Sequence, residues 1–215
     1  MSKISPPRRQ KRWRAFLLIV LIYLAYRMLS AYPELVVEVG GTYEDMIKRS
    51  SAEYTPLYPK RFWWGDVRSP AKFRLFDAQY GFTAPAGPAI YITFDDYNIV
   101  QDVGLYPHMK PLTLDQALEV VLSLQEQWQT AGWSICNPHE TAAVADTPEW
   151  RNQLRNARHG IDITWQAAGK YQARLILSQN FDPQNPDITP DLETYRLRVD
   201  VAKVRRTSLK CETAP

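Results

Sequence analysis

A catalytic reading of this 215-residue chain starts from three histidines, two adjacent aspartates and one Ser-Lys spacing. His108, His139 and His159 are far apart, and none has a second ligand at metal spacing. His139-Glu140 is half of the H-E-x-x-H zinc string, which needs two histidines one helical turn apart, but position 143 is Ala. Asp95-Asp96 would be a carboxylate pair only if both side chains reached one site. Neighbours on a strand point to opposite faces, and between two β-rich runs these residues suit a turn. Ser69-Pro70-Ala71-Lys72 fits the S-x-x-K string, yet that chemistry needs a helix placing Ser and Lys on one face. The proline interrupts any such helix, and the companion S-D-N and K-T-G strings are absent. The chain has no G-x-S-x-G, phosphate loop, dinucleotide fingerprint or C-x-x-C. The residues therefore predict no catalytic group, metal site or cofactor.

Two other groupings suit binding better. Residues 54–66 hold Tyr54, Tyr58, Phe62, Trp63 and Trp64 beside Lys60 and Arg61, in a proline-punctuated stretch with little regular pattern. Tyr, Trp and Arg dominate binding hot spots, so Tyr58, Arg61, Trp63 and Trp64 are candidate partner contacts; the competing reading packs the tryptophans onto the sheet as a lid. Arg151, Arg155 and Arg158 have the spacing of one helix face, with Trp150 and Leu154 opposite. That stripe suits an acidic partner, or a solvated face with cations near a helix C-terminus. Cys136 and Cys211 are the only cysteines and can either pair or stand as two separate thiols.

The elements that must position these residues are readable from periodicity. Residues 35–39 begin a strand, Gly40-Gly41 breaks it, and residues 42–52 form a polar, helical connector. Residues 72–76 read as a short strand, and residues 89–94 and 99–105 as a hairpin. Thr113 with Gln116 makes a capping box for a helix carrying Leu114, Ala117, Leu118, Val121, Leu122 and Trp128, stopped by Gly132. After a short strand at 133–136, Thr147-Pro148 opens a second helix that Gly160 closes. Ile161, Ile163 and Trp165 alternate with Asp162, Thr164 and Gln166; past the turn at 168–170, Tyr171, Ala173, Leu175 and Leu177 do the same. Tyr195, Leu197, Val199 and Val201 mark a last strand. The predicted class is α+β: an N-terminal transmembrane helix, then one domain with a mostly antiparallel sheet and two helices on one face.

The membrane expectation rests on Arg8, Arg9, Lys11, Arg12 and Arg14, which run into twelve uncharged residues from Ala15 to Tyr26. This order of charge then apolar residues marks a membrane anchor or an export signal. Counted over residues 13–32 the segment is long enough to span, with Trp13, Tyr23, Tyr26 and Tyr32 as interfacial anchors. A cleaved signal has Ser30-Ala31 for its cut, but Leu29 occupies the position that should be small. The expected organisation is a basic cytoplasmic tail (1–12), a signal-anchor (13–32), an aromatic-rich connector (33–66) and an exported domain (67–215). The expected location is the inner (plasma) membrane, with the C-terminal domain periplasmic or otherwise extracytoplasmic.

Charge follows the same division. Seven of the 26 Lys and Arg lie in the first 27 residues, which hold no acids, leaving 19 basic against 23 acidic residues beyond them. The basic balance thus belongs to the topogenic segment, and no nucleic-acid partner is implied. Pseudopilins also join an N-terminal hydrophobic helix to an α+β body, but they need a Glu at the fifth position of that helix and no Glu precedes Glu34. The expected function is non-enzymatic: a single-pass anchored domain that binds another protein, as toxin-immunity proteins and envelope or secretion accessory subunits do, with no small-molecule ligand evident. The alternative is a small envelope hydrolase assembled from His108, His139 or aspartates.

Overall fold

The structure is a computed structural model that describes residues 32–56, 63–137, 141–156, 160–179, 194–204 and 211. The predicted anchor, with the tail before it, lies outside these residues except for Tyr32. Among the described residues no helix is long and apolar enough to cross a membrane.

Residues 33–215 form one compact unit, mixed α+β, with three helices and eleven strands among the described residues. The strands are β1 (Glu34–Val37), β2 (Tyr54–Pro56), β3 (Trp63–Val67), β4 (Ala71–Leu75), β5 (Phe82–Gly87), β6 (Ile90–Phe94), β7 (Val100–Leu105), β8 (Ser134–Ile135), β9 (Ile161–Ala167), β10 (Tyr171–Gln179) and β11 (Tyr195–Lys203). The helices are α1 (Tyr43–Arg49), α2 (Leu114–Thr130) and α3 (Pro148–Asn156). Eight strands make one antiparallel sheet in the order β2-β3-β6-β7-β11-β10-β9-β8. A second, three-stranded sheet has the order β1-β4-β5, with β1 and β4 parallel.

The long strands follow the period-2 rule that places alternate side chains on opposite faces. Ile161, Ile163, Trp165 and Ala167 of β9, Tyr171, Ala173, Leu175 and Leu177 of β10, and Tyr195, Leu197, Val199 and Val201 of β11 are buried. The β9–β10 turn places Ala168 and Gly169 at positive φ, the geometry that matches sheet twist. Helix α2 starts with the full capping box between Thr113 and Gln116, and it buries Ala117, Leu118, Val121, Leu124 and Trp128. Trp128 meets Trp165 of the large sheet at 5.6 Å and Phe82 of the small sheet at 5.4 Å between ring centroids. One helix therefore joins both sheets into a single core. Buried Gln125 on α2 donates to Val144 O and accepts from Val144 N, both at 2.9 Å, tying the helix to the loop before α3.

Two expectations change. Residues 33–56 and 63–66 are no connector but part of the domain: β1 pairs with β4, α1 packs on β1, and β2–β3 extends the large sheet through β6. The prolines and aromatics of this stretch disguised its strands, since Pro56 is tolerated on an edge strand. Gly65 is required by crowding, because a Cβ there would lie 2.5 Å from Thr55 O and 2.7 Å from the Tyr54 ring. The core face is also closed by more than two helices, with the small sheet and the short α1 sharing the task.

Candidate functional site

The face of the large sheet opposite α2 is a broad, open trough of about 1040 Å3. The buried strands build it automatically: if Leu175 and Val199 point inward, Arg174, Arg198 and Asp200 must point outward. In β7 the sequence Val100-Gln101-Asp102-Val103-Gly104-Leu105 does not alternate. A register shift opposite Thr93 and Phe94 absorbs Gln101, so that Val100 and Val103 both face the core. Asp102 and Gly104 are thereby delivered to the trough.

Three zones line this surface. At one side stands an aromatic row. Trp64 and Tyr91, 41% and 39% exposed, have ring centroids 6.1 Å apart, and Tyr91 is followed by Tyr106 at 6.3 Å and His108 at another 6.3 Å. The middle holds charges in ordered pairs: Asp200 accepts from Arg198 Nε at 2.8 Å, and Asp162 accepts from Arg174 through Nε at 2.8 Å and again through a second guanidinium nitrogen. Gly104 lies beneath the first pair, where a Cβ would come 2.9 Å from Asp200 Oδ1. A mid-strand glycine here makes room for the ion pair. Burial raises the Asp200 carboxyl, against the pull of Arg198 and Arg174, and neighbouring Asp102 adds to the rise. The far side carries the Cys136–Cys211 disulfide, with Cα atoms 4.6 Å apart, and Gln172 Nε2 donates to Cys211 Sγ at 3.4 Å.

The sequence-derived candidates are distributed unevenly. Trp64 lines the trough, whereas Trp63 is placed through its backbone, opposite Phe94 in the β3–β6 pairing. Tyr58, Arg61 and Arg158 lie outside the described residues, as do His139 and His159. Arg151 is held by Asp146 at 2.5 Å and by Asp115 at 2.6 Å, hydrogen bonds that raise its pKa and occupy it within the domain. The Arg155 carbonyl accepts from Gln179 Nε2 at 2.8 Å. The trough thus brings together Trp64 and the disulfide but not the Arg151–Arg155 stripe. Tyr91, Asp102, Tyr106, Arg174, Arg198 and Asp200 were missed. Their signal was faint: polar residues alternating with buried ones look like an ordinary solvent face until the register aligns acids beside arginines.

His108 and Asp95, among the described catalytic candidates, are engaged structurally. Leu197 N–H donates to His108 Nε2 at 3.1 Å, so that nitrogen is bare and Nδ1 carries the proton donated to Lys110 O at 3.0 Å. Burial lowers the pKa of this ring and suits its neutral form. Asp95 Oδ1 accepts from the N–H groups of Tyr97 and Ile99, both at 2.9 Å, and so builds the β6–β7 turn. Lys72 lies in strand β4, opposite Glu34, and not on a helix. Outside the trough, Asp77 accepts from Lys170 Nζ at 2.5 Å, from the Tyr171 hydroxyl at 3.0 Å and from two backbone N–H groups. Burial works to raise this carboxyl, but those hydrogen bonds prevail and hold it at about 2. Among the described residues no group of three or more His, Cys, Asp or Glu is placed to hold a metal.

Fold and site together define a class, an α+β domain that presents one open, polar face of a large antiparallel sheet. Compared with protein-family models, curated proteins and solved structures, the chain has no match.

Proposed function

We propose that this chain is a membrane-anchored binding protein that holds a protein partner, on the outer side of the membrane, against the open face of its large sheet. The observation that carries the reading is the trough itself. It places exposed Trp64 and Tyr91 beside ordered Arg–Asp pairs on a rigid sheet backed by the core. Exposed aromatic rings flanked by preorganised charge supply contact area and orientation at low entropic cost, as binding surfaces require. The outer location is supported by the basic-then-apolar N-terminal segment and by the Cys136–Cys211 disulfide, a bond that persists in oxidising compartments. The most concrete form of the proposal is an immunity-type protein that captures an incoming toxin, or an accessory subunit of an envelope or secretion assembly. The hydrolase alternative loses its most definite residue, because both ring nitrogens of His108 serve the backbone.

Affinity capture from native membranes with the tagged full-length chain tests the proposal. A protein retained by the wild type and lost with Trp64→Ala plus Tyr91→Ala is the expected result; identical captured sets would refute it. A reporter fused after Pro215 should be active only outside the cytoplasm, and cytoplasmic activity would overturn the orientation.

A further inference from the structure

Among the described residues, the ion pairs of the open face leave acidic groups over. Asp200 is matched by Arg198 and Asp162 by Arg174. Asp102, in the trough, accepts only from the Thr93 hydroxyl at 2.8 Å and has no cationic partner among the described residues. Asp66 stands two residues from Trp64 on the same side of β3. It accepts from the backbone N–H groups of Val67 at 2.7 Å and Ile90 at 2.8 Å, and it too has no described cationic partner. Asp102 lines the trough beside the aromatic row, since Thr93, which binds it, is paired with Trp64 across β3 and β6; Asp66 does not line the trough, but its charge is felt at the Tyr91 hydroxyl. The nearest further cation on this face of β11, Arg196, stands beyond the row near His108 and does not line the trough.

Carboxylates beside exposed aromatic faces are the surroundings that attract a cationic side chain, through charge pairing and the negative face of the rings together. We infer that the trough docks a basic stretch of a partner protein, seating an Arg or Lys side chain beside Asp102 and the rings of Trp64 and Tyr91, with Asp66 adding its charge from next to the row. This rests on the open face being the docking surface and adds the chemistry of its occupant. The arginines of the middle zone then set register, repelling a second basic residue placed too far along and accepting an acidic one.

The test uses the full-length chain in nonionic detergent micelles, titrated calorimetrically with acetyl-Gly-Arg-Gly-Arg-Gly-amide and with its Glu counterpart. Asp102→Asn and Asp66→Asn keep the size of the originals and one acceptor oxygen each, enough for the Thr93 hydroxyl at Asp102 and for the two backbone N–H groups that share one oxygen of Asp66. The Arg peptide should bind, weaken as salt rises and lose about fivefold in affinity in each Asn variant, while the Glu peptide should not bind. Equal binding of the two peptides, no binding of the Arg peptide, or Asn variants that bind as tightly as wild type would overturn the inference. If partner capture fails with Trp64→Ala plus Tyr91→Ala but survives both Asn changes, the docking face stands and only its proposed chemistry falls. Capture unaffected by either set removes the face itself.

Discussion

The two faces of the large sheet are made by the same strands and share almost nothing else. On the closed face Leu175, Leu177, Val199 and Val201 are buried, with β10 packing on α3 and β11 on α2, and every outward neighbour of these residues is polar or small except Ile176. On the open face Arg174, Arg198 and Asp200 meet solvent and one another. One register thus fixes two surfaces: the inward residues set stability, and the next residue along sets what the open face presents. Because side chains alternate strictly, the core specifies the position of each open-face group without contacting it. Gly104 is where the two faces meet, since its missing side chain leaves space for the Arg198–Asp200 pair on the open face.

Substitutions that separate the two faces sharpen this contrast. The largest effect belongs to the closed face. Trp128→Ala removes the ring that joins both sheets and should cost about 3–5 kcal/mol in chemical denaturation. Cys136→Ser with Cys211→Ser opens a bridge spanning 75 residues of sequence and should cost about 2–4 kcal/mol under oxidising conditions. The same change under reducing conditions should be close to neutral. Asp77→Asn should cost about 1–2 kcal/mol at neutral pH, because it weakens the charged hydrogen bonds that fasten the β9–β10 turn to the loop after β4. Its pH signature has a definite sign. The folded carboxyl is held at about 2, below the unfolded value of about 3.9. The stabilisation is therefore complete above about pH 4 and disappears as pH falls toward about 2 in the wild type, and the Asn variant should lack that component. The smallest stability effect belongs to the open face. Trp64→Ala and Arg198→Ala should each change stability by no more than about 0.5–1 kcal/mol while abolishing partner capture. A large stability loss from these two would show that the open face is part of the structural core.

Much of the closed face was legible in the sequence. The capping box of α2, the alternation in β9, β10 and β11, and the turn at Asp95 all follow from local rules, and the structure places them where those rules put them. Of the small sheet, the strands at 35–39 and 72–76 were legible but their assembly was not, because β5 contains Pro85 and because β1 finds its parallel partner β4 only across α1, β2 and β3. The open face was half legible. The polar positions of β9 were evident, but their partners depend on inter-strand register, and in β7 the absorbed Gln101 reverses the apparent facing of Asp102. Trp64 was singled out for its composition and does line the trough. Arg151 was singled out on spacing, which could not reveal Asp115, thirty-six positions earlier in the chain, as its partner.

Site-specific photo-crosslinking in native membranes tests the central claim most directly. A benzophenone side chain placed at Tyr91 or Gln172 reports on the open face, and one at Tyr97, 83% exposed on the β6–β7 turn, reports on an ordinary surface position. One discrete protein should crosslink from Tyr91 and from Gln172, and none from Tyr97. Crosslinks from Tyr97 alone, or none from either open-face position, would contradict the claim.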